Sequence, residues 1–255
     1  YLPEEAGTTQ VTEGTVNLIS RLSAPMGIDL QIHRCMLDDN PLPGIRDLVG
    51  DAEGVFLRIP NYIKEHQWVT DWLKDIPAVQ FLGFNTSRHL FCDHVAPDSG
   101  YLGSMAATYF AEKGVNRIVY AEPLKGAFVD MGYCRGFFET GREAGLETSL
   151  YVSGLEGGNQ TLKKIYKPLA DTCRSLPDFN RMVQAIQKES PTPFGLFIPT
   201  FTGMAMATTS LIAQGMRINK DVYTLSRVSS TNAIERLDPM PAIIHMHQKE
   251  VARRA

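Results

Sequence analysis

Short apolar runs along the chain take turns with longer stretches in which apolar residues recur three and four apart. The short runs suit strands and the longer ones amphipathic helices. A clipped first strand leaves only Tyr1-Leu2. Val16, Ile19 and Leu22 then predict a helix that Pro25-Met26-Gly27 ends. Ile28, Leu30 and Ile32 alternate as a strand, and Ala52 to Leu57 predicts the next, reached through Pro41-Leu42-Pro43-Gly44. Tyr62 to Leu73 follows as a helix and Val79 to Phe84 as a further strand.

The second half repeats the rhythm. Asp98-Ser99 is placed to cap a helix whose Leu102, Met105, Ala106, Tyr109 and Phe110 make an apolar stripe, with Gly114 as its stop. Arg117 to Tyr120 predicts a strand, Met131 to Gly145 a helix, and Thr148 to Val152 a strand. Residues 159–176 are polar and carry no clear period. Phe179, Met182, Val183 and Ile186 mark a helix before the strand Gly195 to Ile198, and Met204 to Gln214 is helical, with Gly215 at its end. Strands close the pattern at Val222 to Leu225 and Ala242 to Ile244.

Strands alternating with helices predict parallel sheets. The expected fold class is therefore α/β, with two Rossmann-like lobes whose ligand would sit where strands end, in a cleft between the lobes. The length of 255 residues suits two cores. A net charge of −3, with basic residues scattered, argues against a DNA-reading surface within these residues. Lys249, Arg253 and Arg254 form the one basic cluster, and a solvated helix face accounts for it. Cys35, Cys92, Cys134 and Cys173 make no C-x-x-C pair, which suits small buried thiols in a reducing compartment. No nucleophile elbow, P-loop or G-x-G-x-x-G occurs, so no enzyme class and no cofactor is indicated. His245 and His247 stand two apart, and without a third ligand nearby they predict a half-buried pair on a strand rather than a metal site.

Four stretches, in order, resemble the effector domain of the lactose/galactose repressor family, which is periplasmic-binding-protein-like (type I). Val95 to Gly103, running on through Tyr109 to Ile118, is similar to the family's "V-x-x-D-N-x-x-G" helix and "L-x-x-x-G-H-x-x-I" continuation. Gly136-Phe137-Phe138-Glu139 through Glu143-Ala144-Gly145 resembles "G-F-x-x-A-x-x-x-A-G". Gly195 to Ile198, Met204 to Ala207 and Gly215 to Val222 resemble the segment around "N-D" and "G-x-x-V-P-x-D-V", and Pro239 to Ala255 resembles the family tail. The resemblance implies an N-terminal lobe of residues 1–113 plus 242–255 and a C-terminal lobe of residues 114–241, joined by crossover strands. It implies a cytoplasmic homodimer that binds a sugar-like effector and meets operator DNA through a module outside this chain. A periplasmic solute-binding protein of the same fold is the alternative, which a signal peptide before Tyr1 would favour.

Family members hold their ligand with a carboxylate and one or two arginines. The acid matches Asp98, where a plain helix cap is the competing role. Elsewhere the chain departs from the pattern. The expected arginine falls on Tyr133, with Arg135 two residues later; the "N-D" acid falls on Thr202; and the acid after a late strand falls on Val228. Losing that grip implies either an effector of different chemistry or a pocket kept only as a dimerisation scaffold. The remaining candidates are Glu4 and Glu5, Asn85, Phe201 with Thr202, and Arg227. Phe201 and Tyr133 offer ring faces for a sugar, while Arg227 follows a strand's C-terminal end.

Overall fold

The computed structural model describes residues 15–32, 50–57, 76–81, 93–95, 98–122, 131–152, 166–168, 175–228 and 241–245. The chain divides into two compact units, one of Tyr1–Pro97 with His247–Ala255 and one of Asp98–Met246.

The first unit opens on helix α1 (residues 15–23), which continues into a 3-10 turn at Ala24–Met26 and stops at Gly27, where φ is 74°. A left-handed residue at that point ends a helix at little cost only if it is glycine. Three short strands follow: β1 (Val55–Leu57), β2 (Ala78–Phe81) and β3 (Asp93–Val95). They lie side by side in sequence order, all parallel. Ile19 of α1 is buried among Val16, Leu18, Leu30, Phe56 and Val95. The predicted strand at Ile28 to Ile32 does not form, and residues 28–32 are irregular. Alternation makes a strand only where one face is covered, and Ile28 and Ile32 are both exposed. The polar β3 carries no alternation to announce it. The expected helix from Tyr62 to Leu73 lies outside the described residues.

The second unit holds helix α2 (Ser99–Glu112), β4 (Arg117–Glu122), α3 (Met131–Glu143), β5 (Glu147–Val152), β6 (Tyr166–Pro168), α4 (Leu176–Glu189), β7 (Phe194–Ile198), α5 (Phe201–Ala213), β8 (Val222–Val228) and β9 (Ala242–His245). Its six strands form one sheet in the order β6-β5-β4-β7-β8-β9, parallel throughout. Helices cover both faces, so β4 and β7 at the centre are buried at every residue. On one face Val119, Ala121, Leu196 and Ile198 pack with Phe179, Met182 and Ile186 of α4 and Met204, Ala207 and Leu211 of α5. On the other, Tyr120 and Phe197 meet Phe137 of α3 with ring centroids 6.0 and 5.8 Å apart, and Phe110 of α2 reaches Phe137 edge-on at 6.3 Å.

That second layer depends on small residues. A Cβ on Gly136 would lie 1.9 Å from the carbonyl oxygen of Gly100, and one on Gly103 would lie 2.3 Å from that of Tyr133. Real side chains never approach so closely, so α2 and α3 cross backbone against backbone, and Ser104 Oγ donates to the Gly136 carbonyl across the gap at 3.4 Å. Gly195 repeats the device on β7, where the Phe110 ring lies against the strand; a Cβ there would stand 2.5 Å from that ring.

This crossing moves the expected boundary between the lobes. The divisions expected after residues 113 and 241 fall after Pro97 and Met246 instead. Helix α2 is locked onto α3 and the sheet, so it belongs to the second unit from its capping residue onward.

Charge at the amino edge of the sheet is settled internally. Buried Arg117 donates to Glu147 Oε1 at 2.9 Å and to Ser149 Oγ at 2.8 Å, tying β4 to β5. In the exposed turn before β8, Arg217 donates through its side chain and its backbone to Asp221, holding that carboxyl down at about 2.

Gly136→Ala tests the helix crossing. Overpacking should outweigh alanine's better helix propensity and destabilise the protein by about 1–3 kcal/mol. Urea denaturation measures it, and an unchanged midpoint would show that α2 and α3 separate without loss.

Candidate functional site

In a parallel sheet the neighbouring strands β4 and β7 lead away in opposite directions, β4 towards β5 and β7 towards β8, and the crevice outside their carboxyl ends is where such sheets bind ligands. The residues at those ends are Glu122 on β4, Thr200 just past β7, and Arg227 near the end of β8.

Arg227 is half-buried and rests on Tyr133 of α3. Its Nη1 donates to the Tyr133 hydroxyl at 3.2 Å, and the guanidinium carbon stands 5.7 Å from the ring centre. Tyr133 is itself buried and packs edge-on against Phe197 at 6.1 Å. Two of the residues singled out from the sequence are thus in contact, although 94 positions separate them.

Phe201 and Thr202 form the first turn of α5, half-buried, behind the capping residue Thr200. Thr200 makes no side-chain cap, and its hydroxyl oxygen is buried without a hydrogen-bond partner among the described residues. The helix begins three residues earlier than its apolar period suggested, which puts both candidates next to the strand end rather than in a loop.

The other candidates lie elsewhere or are committed to other contacts. Asp98 Oδ1 accepts from the Tyr101 backbone N–H at 3.0 Å, which is the helix-capping role. Arg135 is exposed on α3 and donates to Glu139 one turn on, at 2.9 Å. Such a pair is an ordinary solvated helix contact. Glu5, with Glu4, and Asn85 lie outside the described residues.

Sequence reasoning missed Glu122. It is only 3% exposed, and its Oε2 accepts from the Tyr120 hydroxyl at 2.9 Å. Tyr120 pairs with Phe197, and Phe197 with Leu225. Two residues further along β4 and β8, past the carboxyl end of β7, come Glu122 and Arg227. Strands alternate faces, so both side chains fall on the face that α3 covers. A signal for it exists: an acid that ends an apolar strand obeys the same crevice rule that picks out Arg227. The apolar pattern stops at Tyr120, two residues short of the acid, and so leaves it out of the predicted strand.

Among the described residues no group of three or more His, Cys, Asp or Glu is placed to hold a metal ion, and no helix is long and apolar enough to cross a membrane.

No protein-family model matches the sequence, and no curated protein matches it. Solved structures do match in fold. The chain is similar to a regulatory protein of LacI family from Chloroflexus aggregans, at 17% identity and a TM-score of 0.71, covering 96% of this chain and 81% of that one. It is similar to a putative ribose operon repressor from Burkholderia thailandensis, at 17% identity and a TM-score of 0.67, covering 96% and 84%. A third is a periplasmic binding protein/LacI transcriptional regulator from Alkaliphilus metalliredigens QYMF complexed with D-xylulofuranose, at 17% identity and a TM-score of 0.61, covering 96% and 82%. The α/β fold is that of the lactose-repressor (LacI) type regulators and their periplasmic-binding-protein relatives, as the four sequence stretches implied.

Tyr120→Phe tests the setting of Glu122. Removing a donor from a buried carboxyl should cost about 1–3 kcal/mol in urea denaturation. A stability equal to that of the parent would mean that Glu122 does not lean on Tyr120.

Proposed function

We propose that the chain is the effector-sensing and dimerisation core of a bacterial transcription regulator, and that a sugar-like small molecule binds at the carboxyl edge of the second unit's sheet. The observation that carries this is the likeness in fold, over 96% of the chain, to solved transcription regulators, one of them complexed with a ketopentose. The edge itself offers what a polyol needs. Arg227 supplies donors, Thr202 supplies a hydroxyl, and Phe201 supplies a ring beside them. The role is regulatory rather than catalytic, and the protein works in the cytoplasm without a cofactor. Ligand binding shifts the population between dimer geometries that fit operator DNA and those that do not. The DNA is read by a module outside these residues, whose net charge is −3.

A thermal-shift screen of pentoses, hexoses, sugar acids and purines identifies the effector class. Stabilisation follows RT ln(1 + [L]/Kd), about 2.7 kcal/mol at a hundredfold excess over Kd. Arg227→Ala should abolish the shift that the best compound gives the parent, and a full shift in the variant removes Arg227 from the site. Light scattering on a size-exclusion column should report a homodimer at micromolar concentration; a strict monomer counts against the dimerisation role.

A further inference from the structure

Arg227 is a cation at the edge of the sheet, and alone it would favour an anion such as a phosphorylated or carboxylated metabolite. It does not stand alone. Glu122 stands two residues past Tyr120 on β4, and Arg227 two residues past Leu225 on β8. Tyr120 and Leu225 both pair with Phe197, so the acid and the arginine share a face, two strand spacings or roughly 10 Å apart. The acid is 3% exposed, so water screens its field poorly in the direction of the edge. Its Oε2 is held by the hydroxyl of Tyr120, itself fully buried, which fixes the carboxyl to the sheet. The charged groups at the opposite, amino edge pair with one another, Arg117 with Glu147, and lie at the other ends of the strands.

We propose, on the footing that this edge is the ligand site, that Glu122 sets its charge selectivity. It offsets the guanidinium of Arg227, so the edge takes a neutral polyhydroxylated molecule and rejects its phosphorylated and acidic relatives. Contact with the ligand is not required. At an effective permittivity of about 20, a unit charge 10 Å away changes the affinity for another unit charge by about tenfold. A phosphate carries more than one unit of charge and feels correspondingly more. A hydroxyl group both donates and accepts, so a sugar loses nothing by lying between an acid and an arginine.

The test compares two affinities within each variant, measured by calorimetry on the full chain. The probes are D-ribose, D-xylose, D-xylulose and D-glucose, each against its terminal phosphate ester. The parent protein should bind at least one neutral sugar and prefer it to the ester. Glu122→Gln should improve the affinity for the ester relative to that for the sugar by about tenfold or more. A general weakening of the fold would lower both affinities together and leave their ratio unmoved. If E122Q does not fold, the double variant Tyr120→Phe with Glu122→Met removes the carboxyl and its donor together, leaves no orphaned hydroxyl, and carries the same ratio. An unchanged ratio overturns the role of Glu122 while leaving the sugar site standing. A parent protein that prefers the esters overturns the selectivity itself. One that binds none of the probes overturns the site as well.

Discussion

The near-contact of two helix backbones, at Gly103 of α2 and Gly136 of α3, decides what the second unit can be. Helices usually pack 8–10 Å apart, separated by their side chains. Here a Cβ at either glycine would collide with main-chain atoms, so the pair closes to the limit that backbones allow. The closure brings the Phe110 ring against Gly195 and sets Phe137 against both Tyr120 and Phe197. It also fixes Tyr133, one turn before Gly136, over the end of β8, where it meets Arg227. The glycine contact, the aromatic layer and the candidate site are three levels of one arrangement.

The sheet treats its two edges differently. At the amino edge a buried arginine is satisfied by a glutamate and a serine of the next strand, which makes the charge structural. At the carboxyl edge an acid on β4 and an arginine on β8 share one face, and each has a tyrosine hydroxyl as a partner. Burying an acid costs free energy unless hydrogen bonds offset it. Tyr120 is one such partner, a tyrosine where a core position would ordinarily be filled by an aliphatic residue. A parallel sheet places its ligand crevice at this edge, and here that edge carries an acid and an arginine.

Much of this was legible in the sequence. Apolar periods located the helices of the second unit and five of its six strands, because strong amphipathic stripes and continuously apolar strands are local properties. Gly114, Gly145 and Gly215, with φ values of 70°, 74° and 80°, sit at the stops assigned to them. Arg227 is reached from its place after a strand, Tyr133 and Thr202 from their match to motif positions, and Phe201 from the ring face it offers beside Thr202. Asp98 was legible in both of its roles, and the structure displays the cap. Glu122 was not found, since the apolar pattern stops at Tyr120, two residues short of it, and its burial and partner exist only in the folded sheet. Nor was β3, a polar strand at Asp93–Val95, and Ile28 to Ile32 alternates without becoming a strand because nothing covers it.

By itself, then, the sequence determined the α/β class, the order of elements and the places where helices stop, all of which rest on short-range periodicity and the steric freedom of glycine. Only the tertiary structure decided that α2 belongs with the second unit and that Glu122 shares a face of the sheet with Arg227. A break between units depends on which surfaces close against each other, and a shared face depends on register between strands far apart in the chain. Neither quantity exists until the backbones have met.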